Sequence, residues 1–184
     1  MAHTAPTLTD RLGAAAQDAA PRPPIAQDAL DEIEATLGLT FPAILRSVWT
    51  ELANGGFGPG YGLLGIGPDG YPDDLGQTAD TRYRTDRADP GFDWPEGLLP
   101  ICHFGCAVYH CVDCRTGEML IWEPNAWDDA TPPATALYVS GIQLEDWFAA
   151  WARNGALDMY LRPDSTGPDG FPRSLADLRA RSDP

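Results

Sequence analysis

The sequence contains no lysine: all 12 of its basic side chains are arginine, and they are outnumbered by 27 aspartates and glutamates. The formal net charge is −15, and the isoelectric point is near 4.3. A surface this acidic repels phosphate groups, which argues against nucleic acid as a partner and against docking on anionic membranes. Without lysine there is also no Walker-type phosphate loop.

Long apolar runs are missing as well. No segment approaches the roughly 18 uninterrupted apolar residues of a membrane span. Residues 1–18 lack the basic and apolar regions of a signal peptide. All four cysteines lie between residues 102 and 114, whereas a disulfide-stapled secreted domain usually spreads its cysteines more widely. These absences predict a cytoplasmic protein with reduced thiols.

Groups suited to catalysis are scarce. Of the three histidines, His3 lies in the terminal segment, and the closeness in sequence of His103 and His110 to cysteines does not define a catalytic triad. No pair of carboxylates stands out from the acidic background as a general acid and base. The glycine-rich run 55–60 follows a predicted helix instead of opening one, which is typical of a turn. The sequence therefore predicts no catalytic residue and no cofactor.

The apolar content, 43% of residues, is sufficient for a hydrophobic core. Residues 1–24 are predicted to form an N-terminal extension. It contains an alanine-rich helix, begun by a capping box of Thr7 and Asp10, and a proline-rich linker. A compact domain is predicted over residues 25–161, and the Pro/Gly/Asp-rich residues 162–184 are predicted to form a tail.

The hydrophobic pattern predicts an α+β domain. Apolar residues at helical spacing define two helices, one ending at Gly38 and the next beginning at Pro42. Ser140 and Gln143 form a capping-box pattern in front of a further apolar helix. Strands are predicted over residues 98–103, 106–113, 118–122 and 135–139, and a further short strand over residues 61–66 follows the glycine-rich turn. This order predicts a single domain with a central mixed, largely antiparallel sheet flanked by helices.

Residues 67–97 are dominated by Pro, Gly and Asp, and they carry more negative charge for their length than the rest of the chain. A long loop is expected here, interrupted by a poorly amphipathic helix around residues 75–84. Loops of this length in compact domains are often functional. Tryptophan in a loop is a typical interface residue. The candidate partner-binding residues are therefore Asp69, Asp73, Asp74, Asp80, Asp86, Asp89, Asp93 and Trp94.

The cysteine cluster suggests an alternative site. Cys102, Cys106, Cys111 and Cys114, with the two nearby histidines, are ligands that zinc prefers. If residues 106–114 form a strand, however, Cys111 faces the side opposite to Cys106 and Cys114. The pattern also lacks the longer loop that separates the ligand pairs of a zinc ribbon. Packing of the cysteines as small apolar side chains is the favoured interpretation.

Several motifs carry a resemblance to a known family. The helix–proline–helix stretch from Ile33 to Leu45 is followed by Asn54-Gly55-Gly56 and by Gly62-Leu63-Leu64-Gly65. Further matching positions are Leu99-Pro100-Ile101, Val112-Asp113, Thr116-Gly117-Glu118 and Trp147-Phe148. Together these residues resemble the SUKH superfamily, which includes the yeast regulator of cell-wall assembly and many bacterial immunity proteins. The resemblance spans residues 25–154. The acidic residues 67–97, hereafter the acidic segment, and the four cysteines are not core features of the family.

The resemblance implies a mixed sheet flanked by helices and no catalytic residues. Bacterial members of this superfamily typically accompany polymorphic toxins and block them by binding. The resemblance thus implies a non-enzymatic immunity protein, and the net charge suits a toxin domain with a basic surface. Two alternatives stay open: an adaptor or regulator of an endogenous protein, as in cell-wall synthesis, and a zinc-stabilised module or zinc-dependent enzyme.

Overall fold

The computed structural model describes residues 6–17, 19–126, 128, 130–157, 159 and 174–176. At its centre is a four-stranded sheet in the order β1-β2-β3-β4, and every neighbouring pair is antiparallel. The strands are β1 Leu98–His103, β2 Tyr109–Asp113, β3 Glu118–Trp122 and β4 Leu137–Gln143. The α+β prediction is confirmed, and within the described ranges the sheet is fully antiparallel.

In the part of the chain that the structure describes, five α-helices accompany the sheet. They are α1 Leu8–Ala15, α2 Gln27–Leu37, α3 Ala43–Ser47, which continues as a π-helical turn over Val48–Leu52, α4 Ala79–Ala88 and α5 Leu144–Asn154. Gly38 and Gly155 end α2 and α5 with φ of 68°, the left-handed conformation that glycine adopts at little cost. Among the described residues, no helix is both long and apolar enough to cross a lipid bilayer.

Strands β2 and β4 differ from the prediction at their boundaries, since β2 begins at Tyr109 and β4 extends over Leu137–Gln143. In place of the short strand predicted over residues 61–66, the structure has an isolated bridge between Leu63 and Cys102. Strand β2 begins at Tyr109 because Cys106 and Ala107, with φ of 50° and 59°, form the turn that precedes it. The predicted capping box at Ser140 was wrong: Ser140 and Gln143 belong to β4. Ser140 is fully buried and donates its hydroxyl to the Met119 carbonyl, so tertiary contact with β3 overrides the local capping pattern.

The core lies between the sheet and the helices, with the fully buried side chains of Trp49, Trp147 and Phe148 among its largest. Helix α1 also contributes to it: Leu12 is completely buried, and α1 packs on α5. The extension thus contacts the domain, and the boundary at residue 24 stays a prediction. The predicted tail lies outside the described residues, except at residues 174–176, where Ser174 pairs with Tyr138 as an isolated bridge.

Candidate functional site

The structure separates the eight predicted partner-binding residues into two groups of four. Asp69, Asp74, Asp89 and Asp93 are exposed. Asp73, Asp80, Asp86 and Trp94 are buried, between 1% and 9% exposed, and make contacts within the molecule. Half of these side chains therefore stabilise the fold, and the other half are available on the surface. The expected helix in this segment is present, four residues later than predicted at its start, as α4.

Asp80 fixes the start of α4. Its carboxylate accepts hydrogen bonds from the Gly67 backbone N–H (2.9 Å) and the Thr78 hydroxyl (2.7 Å), and it pairs with Arg84 (2.8 Å) one turn along the helix. A carboxylate near a helix N-terminus also interacts favourably with the helix dipole. These contacts join α4 to the loop that precedes it, so Asp80 acts as an internal anchor.

Asp86 pairs within α4, and Trp94 holds the following loop against the sheet. Asp86 pairs with Arg82 (2.9 Å), and burial raises the pKa of Asp86 even with that arginine beside it. The Trp94 indole N–H donates to the Leu98 carbonyl at 2.7 Å, and its ring contacts those of Phe92 and Trp122. This tryptophan is 1% exposed and packs in the core.

Asp73 organises the loop next to α4. One carboxylate oxygen accepts the backbone N–H groups of Leu75 (2.9 Å) and Gln77 (2.8 Å), and the other accepts the Tyr109 hydroxyl at 2.8 Å. Burial and this hydrogen bond raise the pKa of Tyr109, so its phenol stays protonated and keeps donating. The next residue, Asp74, thereby projects from a loop whose backbone is held in place.

Four side chains form a column from the interior to the surface. The Arg82 guanidinium lies 4.9 Å from the Tyr109 ring centroid, the Tyr109 ring stacks on His103 at 4.7 Å, and Tyr61 follows at 5.5 Å from His103. Arg82 and Tyr109 are joined to Asp86 and Asp73 respectively, whereas Tyr61 is 66% exposed. The column thus ends on the surface in an aromatic ring.

A cleft of about 410 Å³ lies beside this outer end. Tyr61, Tyr71 and His103 supply its aromatic surface, and Asp73 and Asp74 supply its carboxylates. His103 is 2% exposed; its Nδ1 lies 3.6 Å from the Asp74 carboxylate, and its Nε2 is buried without a hydrogen-bond partner. The cleft therefore combines aromatic rings, carboxylates and an imidazole.

Two of the four cysteines pack in the core, and one is exposed. Cys102 and Cys111 are fully buried on β1 and β2, Cys114 is half-buried, and Cys106 is exposed. All four are free thiols. Among the described residues, no group of three or more His, Cys, Asp or Glu side chains is arranged to hold a metal ion. The zinc alternative therefore has no supporting geometry there.

Sequence reasoning did not select Tyr61 or Tyr71, and it considered His103 only as a possible zinc ligand or catalytic partner of a cysteine. Tyr61 lies between Gly60 and Gly62, and nothing in that pattern distinguishes an exposed ring from a buried one. The contact that positions it is long-range: the Tyr61 backbone N–H donates to the His103 carbonyl at 2.8 Å. The sequence offers only an aromatic residue between two glycines. That pattern predicts a surface site only once it is known that Tyr61 lies beside His103 of β1.

The chain was compared with protein-family models and with curated proteins. The family model of the SMI1/KNR4 family (SUKH-1) matches residues 24–149, which include the acidic segment, the cleft and all four strands. No curated protein matches the chain.

Proposed function

The chain belongs to the SMI1/KNR4 family (SUKH-1), and on this basis we propose that it is a non-enzymatic cytoplasmic immunity protein. It would bind a cognate toxin domain that has a basic surface, and it would block that domain by covering it. Membership supports a role in protein binding. The step from protein binding to toxin neutralisation rests on the charge of the chain and on where that charge is exposed.

The observation that carries the proposal is the imbalance of exposed charge in the acidic segment. All three of its arginines have partners within the molecule: Arg82 pairs with Asp86, Arg84 pairs with Asp80, and Arg87 donates to the Trp94 carbonyl at 2.6 Å. The contacts of these three arginines do not involve the exposed carboxylates Asp69, Asp74, Asp89 and Asp93. Glu96 is exposed as well and interacts electrostatically with Arg115.

An exposed acidic surface of this kind accelerates encounter with a basic partner and disfavours acidic ones. Many polymorphic toxins act on nucleic acids and bind them through basic surfaces. A carboxylate-rich protein surface can cover such a basic surface. The same surface repels nucleic acid itself. The charge pattern thus favours a protein that binds a nucleic-acid-binding protein.

The test uses the domain encoded by the gene adjacent to this one. Expression of that domain alone should stop growth, and co-expression of the full chain should restore it. The purified pair should form a complex whose association rate falls steeply between about 0.05 and 0.3 M NaCl, because added salt screens the attraction. Rescue without salt sensitivity would contradict the acidic-surface part of the proposal.

A neighbouring domain that is not toxic, or one whose toxicity the chain does not relieve, would overturn toxin neutralisation. An adaptor or regulatory role in binding an endogenous protein would then replace it. The zinc alternative is tested separately by elemental analysis of the purified protein. Metal at near-unit stoichiometry would contradict the packing interpretation of the cysteines.

A further inference from the structure

We propose that the cleft beside Tyr61 receives an arginine side chain of the partner protein, with its guanidinium stacked on the outer face of Tyr61 and paired with Asp74. This inference deepens the proposed function, because it names the chemical group that the acidic surface would recognise. It depends on that function only for the source of the arginine.

The first support is the unusual exposure of Tyr61. Tyr61 and Leu75 are the two exposed large hydrophobic side chains among the described residues, at 66% and 71%. Tyr61 lines the cleft together with Asp73 and Asp74, which directly precede Leu75 in the chain. Exposed tyrosine beside polar groups is a typical anchor of protein interfaces.

The second support is that Tyr61 is held in position before any partner arrives. Its N–H donates to the His103 carbonyl, and its ring packs against His103. A Cβ on Gly105 would come within 2.8 Å of the Tyr61 ring, so glycine at that position allows the ring to lie directly on the backbone. A ring fixed in this way loses little conformational entropy on binding.

The third support is electrostatic. The described residues that line the cleft include two aspartates and no arginine. At the inner end of the column, the molecule already places a guanidinium on a tyrosine ring, where Arg82 lies over Tyr109. The outer face of Tyr61 offers the same type of surface, with the carboxylate of Asp74 within the same cleft. Cation–π stacking and ion pairing therefore favour the same ligand.

The fourth support is His103. Its ring packs against Tyr61 and its Nδ1 lies 3.6 Å from the Asp74 carboxylate, so one buried side chain contacts both groups that would hold the guanidinium. An arginine carries five N–H donors in one plane, which allows it to pair with a carboxylate while its face lies on an aromatic ring. A lysine ammonium could pair with Asp74, but it has no planar face to stack on Tyr61. The cleft therefore suits arginine better than lysine.

The first test uses a small probe, N-acetyl-arginine methylamide, titrated into the full chain while aromatic NMR signals are recorded. Saturable shifts of the Tyr61 and His103 signals are expected. The citrulline analogue has nearly the same shape without the charge, so it should produce no saturable shift, and the lysine analogue should bind more weakly. Equal shifts with citrulline would overturn the proposal.

Matched variants locate the site. Tyr61→Leu and Asp74→Asn should each weaken binding of the arginine probe about fivefold or more, since each removes one of the two main interactions. Asp89→Asn removes the same charge from another exposed position of the segment and should leave binding nearly unchanged. Equal losses with Asp74→Asn and Asp89→Asn would show general charge attraction and contradict a specific site.

The complex with the adjacent toxin domain separates this inference from the proposed function. If the complex forms and Tyr61→Leu weakens it no more than Asp89→Asn does, the cleft does not receive a toxin arginine, and the proposed function survives. If no complex forms, the proposed function fails, while the probe titration still decides whether the cleft binds arginine.

Discussion

Single side chains connect distant parts of this fold, and Asn54 is the clearest case. It is 2% exposed; its amide donates to the Ile66 carbonyl (2.9 Å) and accepts from the Ile66 N–H (2.8 Å). Asn54→Ala would leave both backbone groups buried without partners, so we expect a loss of about 2 to 4 kcal/mol in the free energy of unfolding. Urea denaturation measures this loss. Asn154→Ala, at the exposed end of α5, is the control and should change stability little; equal losses would contradict the assignment.

The four cysteines should differ sharply in reactivity. Burial raises the pKa of Cys114 to about 12 and raises the pKa values of Cys102 and Cys111 as well, so these three thiols stay protonated at neutral pH. Cys102 and Cys111 are also fully buried, and Cys114 is half-buried. Cys106 is exposed. We expect iodoacetamide to modify Cys106 alone in the folded protein and all four after unfolding, as measured by peptide mass spectrometry. Cys106→Ser should abolish the native reaction, and modification of Cys102 at a similar rate would contradict the described burial.

At the scale of elements, sequence motifs predicted the helix starts and strand bounds that depend on neighbouring residues in the chain. The Thr7–Asp10 capping box is present at the start of α1, and strands β1 and β3 have the bounds that the hydrophobic pattern gave. Ser140 and Gln143 have the same local pattern as a capping box, yet they belong to a strand because β3 pairs with that segment and buries Ser140. A capping motif therefore predicts a helix only where no neighbouring strand competes for its residues.

Helix α1 should depend on its cap. The Thr7 side chain and backbone N–H donate to Asp10 and lower its pKa below the usual 3.8. A lowered pKa means that the carboxylate stabilises the helix above pH 3.8, and that this contribution is lost as the pH falls through the lower, folded-state value. Hydrogen exchange of the α1 amides, corrected for intrinsic rates, should therefore accelerate on acidification. Thr7→Ala should accelerate it at neutral pH too. Asp10→Asn should remove the acid step, and an unchanged step would refute this role of the cap.

At the scale of the whole molecule, the charge could be counted from the sequence but not located. The sequence shows the excess of acid, and residues 67–97 carry more negative charge for their length than the rest of the chain. Which carboxylates face solvent depended on α4, whose turn spacing allows Arg82 and Arg84 to pair with Asp86 and Asp80. The cleft beside Tyr61 joins residues from three separate stretches of chain, so no single stretch contained its signal.

The net charge predicts opposite effects of salt on the free protein and on its complex. With a formal charge of −15, carboxylates on the folded surface repel one another more strongly than in the expanded chain. Raising NaCl from about 0.01 to 0.15 M shortens the screening length from about 30 to 8 Å, so we expect the melting temperature of the free protein to rise. Choline chloride should have the same effect if screening is the cause, whereas a rise with sodium alone would indicate a bound cation. Over the same range the proposed complex with a basic toxin domain should weaken, because there the screened interaction is attractive. A melting temperature that falls with salt would mean that favourable ion pairs outweigh the repulsion, and the surface would then be less acidic in effect than its composition indicates.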